Sequence, residues 1–396
     1  MSLNATPAGD RVHIGFFGRR NAGKSSVVNA VTGQNLAIVS DVKGTTTDPV
    51  YKAMELLPLG PVMIIDTPGF DDEGTLGQLR VGKTRQVLRK TDVAVLIMDS
   101  TAEKSTVEDE LIGLFEERHL PYIIVRNKSD LLEQLPVAGE KEIYVSATEG
   151  TGIWELKERI AGLAETDTLT LQLVGDLIAP GDHVILVIPI DKAAPKGRLI
   201  LPQQQVIRDI LEAGGIVSVV KETELREALE LCREKPVLVI TDSQVFDRVS
   251  AEVPEDIFLT SFSILMSRYK GFLHKALDGV EVLKSLKSGD RVLIAEGCTH
   301  HRQCNDIGTV KIPGWLKKYT GAELKYDICS GTEFPEDLSP YSLVIHCGGC
   351  MLNRREVCYR AGHCEEQGVP IINYGILIAY LHGILERSIA IFTKNI

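Results

Sequence analysis

The chain has 396 residues, 44% hydrophobic and 24% charged, which is enough for two to three domains that each bury a core. Its formal net charge of −11, with no run of Lys and Arg to offset it, disfavours a protein that acts on nucleic acid. The first ten residues lack a basic start followed by an apolar stretch, and the apolar segments elsewhere are too short or too interrupted to span a bilayer. A cytoplasmic location is therefore expected.

The first part of the chain alternates short apolar runs with helical patterns. Strands are predicted over residues 12–17, 62–66, 94–98, 122–126 and 143–145. Helices are predicted over residues 25–31 and 152–164. This alternation is typical of a doubly wound α/β fold with a mostly parallel sheet. We therefore expect a first α/β domain over residues 1–166.

Two more α/β segments follow. In the second segment, strands are predicted over residues 183–188, 216–220 and 237–240, and helices over residues 203–213 and 222–234. In the third segment, the predicted strands end at residues 296, 346 and 373. A polar run near residues 278–289 separates the two segments. The predicted fold class is therefore α/β with three domains, the second over residues 167–280 and the third over residues 281–396.

A glycine-rich motif follows the first predicted strand and opens the first predicted helix. It reads Gly18-Arg19-Arg20-Asn21-Ala22-Gly23-Lys24-Ser25, a phosphate-binding loop in the context that this motif requires. Its glycines let backbone N–H groups approach the phosphates, its lysine adds a charge at the β and γ positions, and its serine hydroxyl binds Mg²⁺. The loop and the helix start give seven candidate nucleotide-binding residues: Gly18, Asn21, Ala22, Gly23, Lys24, Ser25 and Ser26.

Three further motifs also follow predicted strands. Asp66-Thr67-Pro68-Gly69 offers a carboxylate that holds magnesium through water and an N–H for the γ-phosphate. Asn127-Lys128-Ser129-Asp130 offers an aspartate that accepts two hydrogen bonds from guanine, which adenine cannot supply. Ser146-Ala147 offers a backbone N–H for guanine O6. Four motifs in this order, each at the carboxyl end of a strand, predict that the domain binds GTP and Mg²⁺.

With these motifs, residues 11–165 resemble a translation-factor-class small GTPase of the tRNA-modification and ribosome-assembly branch. Gly44-Thr45-Thr46-Thr47-Asp48 matches the switch I pattern of that branch. The resemblance implies that Thr46 contacts the γ-phosphate and, with Ser25, the Mg²⁺ ion. The catalytic candidates are Lys24, Thr46, Asp66 and Gly69.

The expected GTPase is slow on its own. Phe70 stands where Ras-like proteins carry a glutamine that orients the attacking water, so intrinsic hydrolysis should be weak. Asn21 matches a loop asparagine that helps to hold K⁺ in the potassium-activated members of that branch. We therefore expect K⁺, a partner or the protein's own dimer to raise the rate.

The cysteines are concentrated in the C-terminal third. Seven of the eight lie between Cys298 and Cys364, and in a reducing compartment they are expected to be thiols unless a metal holds them. Cys298-Thr299-His300 and His346-Cys347-Gly348-Gly349-Cys350 each follow a predicted strand of one parallel sheet, so the two loops should converge at one edge. Three thiolates with imidazoles suit an iron–sulfur cluster or zinc and exclude magnesium and calcium. The spacing of these residues does not distinguish an iron–sulfur cluster from zinc.

The combination of the two cysteine motifs with a GTPase domain resembles the HydF family of [FeFe]-hydrogenase maturation GTPases. The family pattern is Cys-x-His, a long gap and His-Cys-x-x-Cys, and here 45 residues intervene. The order of the three domains matches over essentially the whole chain. The resemblance implies a [4Fe–4S] cluster held by Cys298, Cys347 and Cys350, with His300 and His346 as candidates for a labile fourth site.

The resemblance also implies a function and partners. The protein would be a scaffold and carrier that receives a diiron precursor through radical-SAM maturases and hands it to apo-[FeFe]-hydrogenase. The middle domain would form a homodimer or a higher assembly. No nucleic-acid or membrane partner is expected.

Two other functions compete with this one. A tRNA-modification or ribosome-associated GTPase with a structural zinc site fits the nucleotide motifs but not the acidic charge. A redox enzyme that uses the cluster for electron transfer fits less well, because the sequence carries no motif for a second cofactor. Cys358 and Cys364 lie on a predicted helix and are expected to be buried thiols rather than metal ligands.

Overall fold

The computed structural model describes residues 6–34, 49–67, 84, 86–168, 172–190, 199–297, 306–331 and 333–393. The chain divides into two compact units, Met1–Thr170 and Leu171–Ile396. None of the helices described here combines the length and the apolar character needed to cross a bilayer.

The N-terminal unit is built on a six-stranded sheet. Its strands are β1 (Val12–Gly18), β2 (Val50–Leu56), β3 (Gly60–Asp66), β4 (Val93–Asp99), β5 (Tyr122–Asn127) and β6 (Glu142–Tyr144). They lie in the order β2-β3-β1-β4-β5-β6, and all pairs are parallel except β2 with β3. Among the described residues, the helices with defined bounds are α1 (Lys24–Thr32), α2 (Thr106–Glu117) and α3 (Ile153–Thr168), and residues 84 and 86–90 are also helical.

Helices bury both faces of this sheet. On one face, α1 and α3 place Val27, Leu156 and Ile160 in a core with alternate residues of the central strands. On the other face, Phe115 of α2 packs with the remaining strand residues. The start of α2 is fixed by a capping box, in which the Ser105 hydroxyl accepts from the Glu108 backbone N–H. The predicted doubly wound α/β fold is therefore confirmed.

The sequence interpretation missed strand β2. Its residues are almost all exposed or half-buried, with Val50 and Tyr51 48% and 45% exposed. An edge strand of this kind shows no continuous apolar run, so it resembles a polar connection in the sequence.

The C-terminal unit contains two four-stranded parallel sheets. The first comprises β7 (His183–Val187), β8 (Ile216–Val220), β9 (Leu238–Thr241) and β10 (Phe258–Ser261), in the order β10-β9-β7-β8. The second comprises β11 (Arg291–Glu296), β12 (Lys325–Ser330), β13 (Leu343–His346) and β14 (Ile371–Asn373), in the order β12-β11-β13-β14. Nine helices are described here: α4 (Leu201–Glu212), α5 (Leu225–Leu231), α6 (Phe246–Glu252), α7 (Phe262–Tyr269), α8 (Leu273–Asp278), α9 (Ile312–Thr320), α10 (Arg354–Glu366), α11 (Tyr374–Leu381) and α12 (Leu385–Ile389).

The two sheets of this unit share a hydrophobic core. Ile185 and Val239 of the first sheet belong to the same buried cluster as Ile294 and Ile345 of the second. The predicted boundary near residue 280 falls between the sheets, at the end of α8. The division of this unit into separate domains over residues 167–280 and 281–396 stays a prediction.

Candidate nucleotide and metal sites

The phosphate-binding loop connects β1 to α1. Gly23 caps α1 in a left-handed conformation, with φ of +84°. A Cβ atom at this position would lie 2.2 Å from Nδ2 of Asn127, so only glycine fits. Asn21 also has a positive φ, of +65°, which asparagine tolerates better than most residues. Gly18 ends β1, Ala22 is buried, Ser25 is half-buried and Ser26 is exposed.

The side chains predicted for the γ-phosphate and the magnesium ion meet at the carboxyl ends of β1 and β3. The Lys24 ammonium group donates a hydrogen bond to Asp66 Oδ1, and the two side chains are only 10% and 18% exposed. Thr67 then anchors the chain, since its hydroxyl donates to the Phe16 carbonyl at 2.7 Å. Thr46 and Gly69 lie outside the described residues.

Asn127 joins two loops of the nucleotide site. Its side chain is buried, with Nδ2 donating to the Ala22 carbonyl at 3.1 Å and Oδ1 accepting from the Ala147 N–H at 3.1 Å. Asp130 is exposed, which leaves its carboxylate accessible. Asn127 therefore sets the distance between the phosphate loop and the loop at Ser146.

Lys128 has a partner in the neighbouring strand. It lies in the left-handed region, with φ of +66°, and its ammonium group is 2.5 Å from Asp99 Oδ2. Burial tends to raise the pKa of Asp99, but the hydrogen bonds from Lys128 and Thr101 outweigh it and hold this pKa below its ordinary value. Asp99 thus stays ionised and orients the Lys128 side chain.

The predicted metal loops follow neighbouring strands. β11 and β13 pair in parallel, with Ala295 opposite His346. At their carboxyl ends, the Gly297 N–H donates to Cys347 Sγ at 3.0 Å, and the Gly349 N–H donates to the same sulfur at 3.4 Å. Cys298 and His300 lie outside the described residues, but Gly297 immediately precedes Cys298. The chain leading to Cys298 therefore passes against the Cys347 thiol.

The loop from Cys347 to Cys350 is compact and lies between two cores. Cys347 and Cys350 are both half-buried and pack against different buried clusters. Gly349 has φ of +65°, and a Cβ there would lie 3.0 Å from Val357, so glycine allows the tight turn. Burial raises the pKa of the Cys347 thiol, although the two N–H donors act in the opposite direction.

This environment fits a cluster sulfur ligand. Backbone N–H donors directed at a cysteine sulfur are a recurrent feature of iron–sulfur sites, where they tune the potential. Within the described parts of the chain, no three His, Cys, Asp or Glu side chains come together as a metal site. The convergence of Cys298 with Cys347 and Cys350 therefore stays a prediction.

His346 is fully buried and both of its ring nitrogens are engaged. Nδ1–H donates to the Cys347 carbonyl at 2.7 Å, and Nε2 accepts from Arg360 Nη1 at 3.3 Å. Burial, together with the positive charge of Arg360, lowers the pKa of His346 to about 3, so the ring is neutral. In this arrangement neither nitrogen is free to bind iron, in contrast to the ligand role that the resemblance implies.

The sequence interpretation did not single out Arg360 or its partner Glu356. Both are buried, at 0% and 2% exposure, whereas a Glu–Arg pair four residues apart on a helix usually indicates an exposed face. Cys364 is buried as expected, whereas Cys358 is half-buried and its thiol donates to the Lys270 carbonyl at 3.1 Å.

Three protein-family models match the chain. Residues 13–128 match the 50S ribosome-binding GTPase model, residues 173–271 the Hydrogen maturase F dimerization domain, and residues 274–391 the Hydrogen maturase F tetramerization domain. The last two models together cover more than half of the chain. The chain belongs to the hydrogen maturase F family. The predicted family and the predicted GTPase are thereby confirmed, and the C-terminal unit of this hydrogen maturase F member consists of oligomerization domains.

Curated relatives match the GTPase region of this family member. GTPase Der of Kosmotoga olearia is 32% identical over 191 residues, which are 43% of each chain. The tRNA modification GTPase MnmE of Heliobacterium modesticaldum is 36% identical over 161 residues, covering 38% of this chain and 34% of the relative. The chain thus spans less than half of the length of these relatives.

Solved GTPase structures resemble the chain at low overall similarity. Aquifex aeolicus Era bound to GDP.AlF4- is 20% identical with a TM-score of 0.34, covering 53% of this chain and 92% of Era. The G domain of the T. maritima FeoB iron transporter is 24% identical with a TM-score of 0.30, covering 39% of this chain and 99% of that domain.

Proposed function

We propose that this hydrogen maturase F member is a GTP-driven scaffold and carrier that holds a [4Fe–4S] cluster and delivers a diiron precursor to apo-[FeFe]-hydrogenase. The observation that carries the proposal is the hydrogen bond from Gly297 to Cys347, which brings the chain next to Cys298 against the Cys347 sulfur. The maturation partners would be radical-SAM enzymes and the apo-hydrogenase. The acidic composition argues against a nucleic-acid substrate.

The nucleotide end, by which we mean the phosphate-binding loop and the carboxyl ends of β1, β3 and β5, would supply the conformational switch. Lys24 would contact the γ-phosphate, while Asp66, Ser25 and Thr46 would hold Mg²⁺ directly or through water. The hydrogen bond between Lys24 and Asp66 supports this proposal, because it shows that the two side chains are close enough to act on one phosphate and its Mg²⁺ ion. Thr46 and Gly69 would contact the γ-phosphate, and the difference between the GTP-bound and GDP-bound states would bias partner or cargo binding.

The cysteine loops supply the cargo site. Cys298, Cys347 and Cys350 would hold the cluster, and His300 would be the candidate for its labile fourth position. A bound cluster would supply an iron that anchors the diiron precursor. The residues of this chain orient that group: the Gly297 and Gly349 N–H groups support the Cys347 sulfur, and the glycine turn keeps side chains away from it.

Oligomerization is assigned by the family models, and we propose that β8 carries the dimer contact. β8 is an edge strand that pairs with β7 on one side and, among the described strands, has no neighbour on the other. Ile216 and Val219 on it are 57% and 45% exposed. Exposed apolar side chains on an unpaired strand edge favour association with a second copy.

The proposal is tested by precursor transfer. Full-length protein loaded anaerobically with a synthetic diiron precursor should activate apo-[FeFe]-hydrogenase, and the Cys347→Ala variant should not. A Cys364→Ala variant, which removes a buried thiol away from the loop, should activate it normally. Equal activation by the parent and the Cys347→Ala protein would refute the scaffold role.

The alternative, a tRNA-modification or ribosome-associated GTPase with a structural zinc site, is favoured by the similarity to MnmE and Der. That similarity is confined to about two fifths of the chain. Metal analysis of anaerobically purified protein separates the two functions. Zinc without sulfide, together with retention on tRNA at low salt, would support the alternative.

A further inference from the structure

Arg360 forms a buried polar network at the carboxyl edge of the second sheet of the C-terminal unit. Its Nε donates to Glu356 Oε1 at 2.9 Å, and its Nη2 donates to the Gly331 carbonyl at 2.7 Å. Its guanidinium carbon lies 5.0 Å from the centre of the Phe334 ring. The guanidinium therefore joins helix α10 to the turn that follows β12.

The third contact of Arg360 leads to the cluster loop. Nη1 donates to His346 Nε2 at 3.3 Å, and the opposite ring nitrogen of His346 donates to the Cys347 carbonyl at 2.7 Å. Phe272 packs edge-on against the same ring, with centroids 5.8 Å apart. A continuous chain of buried contacts thus runs from Glu356 through Arg360 and His346 to Cys347.

Burying this network has a large desolvation cost, which is hard to explain if its only role is to stabilise the fold. Burying an ion pair removes both charges from water, and a hydrophobic pair of similar volume often serves the fold as well. Glu356 Oε2 is buried and has no hydrogen-bond donor within the described residues. The network does give His346 one defined orientation, because its two nitrogens have a donor role and an acceptor role that cannot be exchanged.

We propose that Arg360, held by Glu356, is a positioning residue for the cluster loop, and that His346 supports the Cys347 backbone by hydrogen bonding rather than by binding iron. The inference rests on the proposed cluster site. It departs from the ligand role that the family pattern implies for His346. The fixed carbonyl of Cys347 would hold the sulfur in place for the N–H donors of Gly297 and Gly349.

The test uses full-length protein reconstituted anaerobically with iron and sulfide. Glutamine at position 346 can still donate to the Cys347 carbonyl and accept from Arg360, whereas leucine can do neither. We expect His346→Gln to release iron to EDTA at the parent rate and to keep the parent's nitrogen hyperfine couplings. His346→Leu and Arg360→Met should release iron about 10- to 100-fold faster, the usual loss when a residue that orients a metal ligand is removed.

Two further variants control for folding. Glu356→Gln keeps the side-chain volume and should release iron faster than the parent, in the same direction as Arg360→Met. Cys364→Ala perturbs the same helix four residues beyond Arg360 and should release iron at the parent rate. If Arg360→Met fails to fold, the comparison of His346→Gln with His346→Leu still decides the role of His346.

Two results overturn the inference. One is the loss of a strongly coupled nitrogen signal in His346→Gln, which would make His346 an iron ligand. The other is release at the parent rate from His346→Leu, Arg360→Met and Glu356→Gln. A parent protein that binds no iron, or a Cys347→Ala variant that retains it, would instead refute the proposed function and the inference with it.

Discussion

The nucleotide end of the N-terminal unit and the cysteine loops of the C-terminal unit use the same geometry but hold their residues differently. Both lie at the carboxyl ends of parallel strands. At the nucleotide end, Lys24 and Asp66 contact each other directly, and Asn127 links two loops. At the cysteine loop, Cys347 is supported by the backbone N–H of Gly297 and by the side chain of His346 on β13, which Arg360 of α10 contacts in turn.

This difference explains which site can be recognised from a motif. A phosphate-binding loop carries most of its chemistry in consecutive residues, and its backbone N–H groups do much of the binding. The proposed cysteine site would depend on two motifs that are 45 residues apart in the sequence and on a helix beyond them. Substitutions at the two ends should therefore have separable effects.

The largest effect at the nucleotide end is expected for Lys24→Ala. Removing the ammonium group takes away a charge that stabilises the transferred phosphoryl group, so GTP hydrolysis should fall about 100-fold or more. Phosphate release under saturating GTP is the measurement. The bound iron should not change. Hydrolysis at the parent rate would contradict the role of Lys24, and a loss of bound iron would contradict the separation of the two sites.

Lys104→Ala is the matched control for that substitution. Lys104 is an exposed lysine of the same domain that pairs with Asp109. Its removal should leave both GTP hydrolysis and iron content unchanged.

The next largest effect concerns the dimer. Val219→Lys places a charge on the exposed edge of β8, so repulsion and desolvation should shift the protein toward monomers. Light scattering after gel filtration gives the molar mass. Leu211→Lys, at a residue of α4 that is 56% exposed, is the control and should remain associated. A Val219→Lys protein with the parent's mass would exclude β8 as the contact.

The smallest effect is the choice of monovalent cation. If Asn21 helps to hold K⁺, GTP hydrolysis should be faster in K⁺ than in Na⁺ buffer. Asn21→Gly, which keeps the left-handed conformation without the amide, should lose that difference. Equal rates of GTP hydrolysis in the two buffers for the parent protein would refute the potassium hypothesis.

Much of the fold can be predicted from local sequence patterns, whereas the buried side-chain contacts that hold the Cys347 loop cannot. The buried strands β1, β4 and β5 show as apolar runs, and Gly23 shows where the phosphate loop turns. The role of Asn127 as a bridge requires tertiary contacts, since its own motif suggests only base recognition. Arg360 looks like half of an exposed helical ion pair, and only packing reveals that it is buried.

The most direct test of the central claim is the iron and acid-labile sulfide content of the full-length protein after anaerobic reconstitution. The parent and Cys364→Ala proteins should hold iron and sulfide in equal amounts, and Cys347→Ala should lose most of both. Retention of the full iron and sulfide content by Cys347→Ala would contradict the cluster site.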